Sequence, residues 1–211
     1  MRTLLVFFAG CLAASAQIVS VGVKGGTPLT DFLDAARNNQ VDYFTNTNRY
    51  IVGASFELHL PFGLGVEADG LYRHLNYAST SLGVDTSTQE STTASDVEFP
   101  LLVKYRFPTK GVRPFLDGGV AFDKLAGVKQ FITNTVLPAV QNKTTTSNPA
   151  ELHNSSTEGF VIGGGLDIKL LVIHILPEVR FTRWNAQHFF DVNGLLHTNV
   201  NQGEFLLGIN F

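Results

Sequence analysis

The sequence predicts an all-β fold: an eight-stranded antiparallel up-and-down transmembrane β-barrel with four long external loops and three short periplasmic turns. Three observations predict it. Eight stretches alternate apolar and polar residues with period two. The links between them alternate strictly long and short, as in a meander whose long loops all project from one end. Charged residues, only 16% of the 211-residue chain, collect on one parity of the strands.

Ahead of the first strand, Arg2, an apolar stretch over 4–12 and Ala14-Ser15-Ala16 before Gln17 read as a secretory signal over 1–16. Residues 17–211 are then the barrel domain. Phe8-Ala9-Gly10-Cys11 resembles a lipoprotein box, the competing route through lipidation of Cys11, although the apolar core before it is short and Phe8 is a poor lead residue. Cleavage after Ala16 removes Arg2 and the single cysteine. It leaves 14 basic and 18 acidic side chains, a net charge of −4, and no thiol. That excludes a disulfide-held secreted fold. Beyond residue 16 no run of about 18 apolar residues exists, so any crossing of a membrane is by strands. With a pI of about 6.0 and no basic run, nucleic acid is not an expected partner.

The strands fall at 18–26, 50–60, 63–77, 96–107, 113–123, 160–170, 173–184 and 198–211. Most have at least the 9–11 residues that a tilted strand needs to cross a bilayer. The short links carry Pro61-Phe62-Gly63 and Pro108-Thr109-Lys110-Gly111, residues suited to reversals; the third, Leu171-Val172, is unusually apolar. The long links 78–95 and 124–159 include Ser/Thr/Asn-rich tracts at 80–95 and 144–157, which read as mobile loops. Two segments have helical spacing. Thr27-Pro28 opens one through Arg37, with Leu29, Phe32, Leu33 and Ala36 on a face. The other, 125–140, carries Val128, Phe131, Ile132, Val136 and Leu137, and three placements are open to it: over the barrel mouth, in the headgroup layer, or folded back on its own loop.

Parity assigns the faces, because successive strand side chains point opposite ways. Tyr50, Val52, Ala54, Phe56 and Leu58 oppose Glu57 and His59. Leu64, Val66, Ala68 and Tyr72 oppose Glu67, Asp69 and Arg73. Phe99, Leu101, Val103 and Tyr105 oppose Glu98, Lys104 and Arg106. Ile162, Leu166 and Ile168 oppose Asp167 and Lys169; Ile175, Val179 and Phe181 oppose Glu178 and Arg180; Phe205, Leu207, Ile209 and Phe211 oppose Glu204. Lys24, Arg113, Asp117 and Asp123 share the polar parity, and Arg183, near a strand end, does not. A soluble lipocalin-like carrier alternates too, with charges outward. Three features select the inverted arrangement. Tyr50, Tyr72, Phe122, Phe160 and Phe181 ring one rim of the apolar face, and Phe107 and Phe211 the other, as interfacial girdles do. Small residues such as Gly22, Gly53, Gly119, Gly163 and Gly165 on the polar parity leave room for long charged chains. The last strand ends on an aromatic of the apolar face.

The ending Glu204-Phe205-Leu206-Leu207-Gly208-Ile209-Asn210-Phe211 resembles the C-terminal strand that the outer-membrane assembly machinery recognises, which makes Phe205, Leu207, Ile209 and Phe211 the expected assembly signal. Phe99-Pro100-Leu101-Leu102-Val103-Lys104-Tyr105-Arg106-Phe107 and Pro177-Glu178-Val179-Arg180-Phe181-Thr182-Arg183-Trp184 are similar to strands of the "outer membrane protein beta-barrel domain" family, small eight-stranded barrels like OmpX and the OmpA transmembrane domain. The resemblance spans 17–211 and implies the outer membrane of a Gram-negative-type bacterium, with lipids, lipopolysaccharide and the assembly machinery as partners. It carries no peptidoglycan-binding domain.

The polar residues offer few enzymatic patterns. Lipid A deacylases of this size resemble a His-x-Ser arrangement with a supporting Glu; His153-Asn154-Ser155 with Glu158 has the spacing but sits in a Ser/Asn-rich loop. The palmitoyltransferase type needs an apolar slot inside the barrel, which charges on every strand oppose. His59, His74, His153, His174, His188 and His197 show no metal-ligand spacing and read as rim or loop residues. Gly163-Gly164-Gly165 lacks the helix and Lys-Ser/Thr of a phosphate loop. The expectation is a non-enzymatic protein without cofactor or metal. Its lumen would be plugged by a paired network of Glu57, Glu67, Arg73, Glu98, Lys104, Arg106, Glu178, Arg180 and Glu204, centred on Glu178 and Arg180. Any ligand specificity then lies in the external loops. A narrow porin-like pore and a lipid-modifying enzyme are the alternatives.

Overall fold

The computed structural model describes residues 18–38, 41–45, 47, 49–136, 140–191 and 193–211. The expected signal segment 1–16, with Cys11, lies outside them. Among the described residues twelve strands form: β1 (Val19–Pro28), β2 (Leu33–Ala35), β3 (Val41–Thr45), β4 (Ile51–His59), β5 (Leu64–Leu82), β6 (Thr86–Arg106), β7 (Val112–Val136), β8 (Val140–Thr146), β9 (Ser156–Leu170), β10 (Ile173–Trp184), β11 (Leu196–Thr198) and β12 (Asn201–Asn210).

Eight of these close a barrel. β1 pairs antiparallel with β4 on one side and with β12 on the other, and β5, β6, β7, β9 and β10 complete the circuit. Closure satisfies every backbone edge between the strands, the condition for placing a sheet in lipid. The expected transmembrane up-and-down barrel is the observed fold. Its sides are sorted by parity: on β6, Phe99, Leu101 and Val103 are exposed while Glu98 and Lys104 are buried. A lipocalin-like carrier would have the reverse.

The strands run past the bilayer at the long-loop end. At 3.3–3.4 Å per residue, the 21 residues of β6 reach roughly 70 Å, about twice what a bilayer crossing requires. The upper parts of β5, β6 and β7 stay paired, from Leu82↔Ser87 and Thr86↔Val136 downward. β3 adds to the outer edge of β5 and β8 to that of β7. The result is an external antiparallel blade in the order β3-β5-β6-β7-β8.

Two loop readings and two helix readings are corrected. The tract 80–95, expected as a loop, is a continuous hairpin turning at 83–85, and 144–146 is strand as well. The segment 125–136, expected to begin a helix, continues β7. Its β-branched Val128, Ile132, Thr133, Thr135 and Val136 favour strand, and pairing with β6 and β8 serves both backbone edges. The helix expected over 27–37 is replaced by the end of β1, where Thr27 and Pro28 pair with Phe205 and Glu204 in closing the barrel, and by β2, which pairs with β11.

The opposite end has the three tight links. The apolar one does turn: Leu170 pairs with Ile173, and Leu171 adopts a φ of 55°. Within the wall, close approach demands glycine at 119, where a Cβ would stand 2.0 Å from the carbonyl oxygen of Leu101. Gly119→Val is expected to destabilise the barrel by at least about 3 kcal/mol, as strong overpacking does. Loss of the heat-resistant compact band on a detergent gel is the measurement.

Candidate functional site

The lumen holds charge in tiers. Next to the tight turns, Arg106 grips both oxygens of Glu57 and donates through Nε to Asp167 Oδ2 at 2.9 Å. Arg113 and His174 also reach Asp167, at 2.8 and 2.6 Å. Below them a cavity of about 610 Å³, lined by His59, Arg106, Arg113, Lys169 and His174 among others, opens at this end.

The middle tier is the densest. Lys24 on β1 sends Nζ to Glu67 at 2.5 Å, Asp69 at 3.0 Å and Glu178 at 3.1 Å. Arg180 on β10 reaches Glu178 at 2.6 Å, Asp69 at 2.9 Å and Glu67 at 3.5 Å, while Lys104 takes the second oxygen of Glu67 at 2.5 Å. Lys104 also lies 4.3 Å from the Phe115 ring centroid. These side chains are no more than 1% exposed. Stripping an ion of water costs several kcal/mol, and partnership recovers it only when the geometry is good. Lys24 and Arg180 therefore each serve several carboxylates.

The third tier is Arg73, which meets Asp96 at 2.6 Å, Glu204 at 3.3 Å and Glu98 at 3.5 Å. Above it lies an apolar cap. Phe32, Leu33, Tyr43, Leu75, Tyr77, Ala94, Leu125, Phe189 and Leu196 form one buried cluster across the mouth. Tyr77 and Phe189 meet edge to face with centroids 5.3 Å apart, and Phe32 sits between the Arg73 guanidinium at 4.7 Å and the His188 ring at 6.2 Å.

Each residue of the expected lumen network, Glu57, Glu67, Arg73, Glu98, Lys104, Arg106, Glu178, Arg180 and Glu204, is buried. They do not form one cluster but are divided among the tiers. Lys24 and Asp69, absent from that set, stand at the centre; their parity was the only signal for them. Phe205 and Leu207 are exposed on the outer face of β12, and Phe211 is exposed just beyond its end. The rim aromatics Tyr50, Tyr72, Phe107, Phe122, Phe160, Phe181 and Phe211 are exposed as well.

His188 lies in the link after β10 yet is 1% exposed, donating through Nε2 to Asp123 Oδ2 at 2.8 Å and through Nδ1 to the Asn154 carbonyl at 2.7 Å. Burial opposes its charged form, but the hydrogen bond and charge of Asp123 outweigh burial and hold the imidazole above its ordinary pKa. His153 packs edge-on against Phe190, and its Nδ1 faces the Glu151 carbonyl. No hydrogen bond joins His153 to Ser155 among the described residues.

Residues 15–183 match the family model described as "Outer membrane protein beta-barrel domain". The chain belongs to this family. As a member it is an outer-membrane β-barrel protein. Solved structures it resembles include Neisserial surface protein A, at 11% identity over 91% of this chain and 95% of that one, with a TM-score of 0.41. Others are OprG from Pseudomonas aeruginosa, at 12% identity over 92% and 94% with a TM-score of 0.46, and the N-terminal β-barrel domain of Pseudomonas aeruginosa OprF, at 15% over 91% and 97% with a TM-score of 0.34. No curated protein matches the chain.

Proposed function

We propose that this chain is a non-enzymatic, non-conducting surface protein of the outer membrane, with the external blade as its means of interaction. The observation that supports the reading is the pair of buried layers stacked inside the barrel. Lys24, Glu67, Asp69, Lys104, Glu178 and Arg180, from four strands, pair with one another out of contact with water, and Phe32, Tyr77 and Phe189 belong to a second, apolar buried layer nearer the loops. A hydrated ion passing that tier would have to displace ion pairs made in the absence of water.

The remaining roles follow from position. The segment 1–16 directs export. Phe205, Leu207, Ile209 and Phe211, on the outer face of the last strand, serve as the signal read by the assembly machinery. Exposed aromatics at both rims settle among lipid headgroups and lipopolysaccharide. The blade presents Ser-, Thr- and Asn-rich strands; residues 36–38 bond the outer side of β3, while among the described residues β8 pairs with β7 alone, an edge of polar surface that suits an external ligand bound by strand pairing.

Planar-bilayer recording of the purified full chain tests the proposal. Inserted protein is expected to give no steady unitary current in 1 M KCl (roughly; a conventional recording strength chosen to suppress surface-charge effects). Regular open-channel steps would instead assign the porin-like alternative.

A further inference from the structure

Where the cap meets the wall, three buried side chains converge from three parts of the chain. Asp96 comes from β6, Asp123 from β7 and His188 from the link between β10 and β11. Their potential ligand atoms all lie within 4.8 Å of one another, and the residues are 1%, 3% and 1% exposed. Each is steadied from behind. His188 Nδ1 lies 2.7 Å from the Asn154 carbonyl oxygen, Asp123 Oδ1 accepts the Thr157 backbone N–H at 3.0 Å, and Asp96 Oδ2 accepts from Arg73 Nε at 2.6 Å. Those bonds leave one atom of each side chain. His188 Nε2 and Asp123 Oδ2 face each other at 2.8 Å, and Asp96 Oδ1 is buried with no hydrogen-bond partner among the described residues.

The surrounding charge is unbalanced in the same sense. Among the described residues Arg73 is the one arginine or lysine within ion-pair distance of Asp96, Glu98 and Glu204, and Glu98 Oε1 and Glu204 Oε2 are also buried there without hydrogen-bond partners. A proton shared by His188 and Asp123 accounts for two of the central atoms. It leaves Asp96 Oδ1 with nothing, in surroundings where an unmet carboxylate oxygen is costly.

We propose that Asp96, Asp123 and His188 form a binding site for one divalent transition-metal cation of the zinc class, which ties the cap to the barrel wall. One imidazole nitrogen and two carboxylate oxygens are a donor set that zinc accepts, with the fourth tetrahedral position open to water. Ligands about 2.0–2.2 Å from zinc stand about 3.3–3.5 Å apart, so the cation replaces the Nε2 proton and opens the His188–Asp123 contact by a few tenths of an ångström. Donation of the remaining imidazole N–H to a backbone carbonyl is how a metal-ligating histidine is ordinarily oriented, and the Asn154 carbonyl is in place for it. Calcium and magnesium prefer six or more oxygens and are not suited by the imidazole. Nothing in this site depends on whether the lumen conducts.

The test uses the purified full chain in detergent, stripped with a chelator and titrated with zinc chloride. Elemental analysis after desalting is expected to find one zinc per chain, and cobalt(II) in its place to give a visible ligand-field band. D123N and H188Q are expected to lose at least about 10–100-fold in zinc affinity, while H174Q, at the other end of the lumen, keeps it. Heat-dependent gel mobility reports whether each variant has folded. Should D123N or H188Q fail to fold, the wild type decides alone: zinc must move the His188 Nε2 nitrogen resonance. The site is overturned by absence of stoichiometric zinc, by zinc held equally in folded D123N and H188Q, by an unmoved Nε2 resonance, or by preference for calcium or magnesium.

Discussion

Arg180→Ala is expected to destabilise the barrel by about 3–5 kcal/mol, the range for breaking a buried ion pair from one side. The guanidinium is fully buried and stands between Glu67, Asp69 and Glu178. Its removal leaves those carboxylates to Lys24 and Lys104, too little positive charge for three acids out of water. The loss comes chiefly from the stranded anions. Arg180→Met combined with Glu178→Gln therefore falls less far than Arg180→Ala alone, although it removes two charges instead of one. Urea unfolding in lipid vesicles measures both. Trp184, the single tryptophan and itself buried, supplies the fluorescence signal. Equal losses in the single and double variants would show that the middle tier is not held together by charge pairing.

Leu101→Arg is the second large effect, at about 2–4 kcal/mol, because it places a cation on the lipid-facing surface near the middle of the bilayer. Leu101 is midway along the part of β6 that crosses the barrel, and it is 50% exposed to what is, in the native setting, hydrocarbon. Val84→Arg is the matched control. Val84 is 99% exposed on the 83–85 turn of the blade, where water surrounds it, so a change within about 0.5 kcal/mol is expected. The contrast requires vesicles and vanishes if the outer surface of the barrel faces water. Equal behaviour of the two variants would return the fold to a soluble carrier.

Both effects rest on features readable from single strands. That Leu101 and Arg180 point to opposite sides follows from counting residues along β6 and β10, since a side chain's face is set by its neighbours in the chain. The rim aromatics and the tight turns were legible for the same reason: each is a local pattern a few residues long. The helical readings of 27–37 and 125–140 failed at the limit of that locality. Apolar residues three and four apart were given more weight than the β-branched Val128, Ile132 and Thr133. What overrode them was not local: β6 and β8 lie on either side of 125–136, and β12 lies beside Thr27 and Pro28.

The candidate sites divide along the same line. The charged lumen residues were visible as a set, yet their grouping was not. Lys24 lies 43 positions from Glu67 and 154 from Glu178, and only barrel closure brings β1 between them. His188 gave no signal at all, because its nearest carboxylate partner, Asp123, is 65 positions away.

By itself, then, the sequence determined the number of barrel strands, the side of the wall each residue takes and the need for lipid outside. Those follow from an alternation that a strand of any register must obey, together with the cost of placing charge in hydrocarbon. Tertiary structure alone decided which carboxylates share a cation, how far β5, β6 and β7 run on into the blade, and that Asp96, Asp123 and His188 meet. Register and the return path of a loop are settled by backbone pairing between distant segments, and no short window of sequence contains both partners.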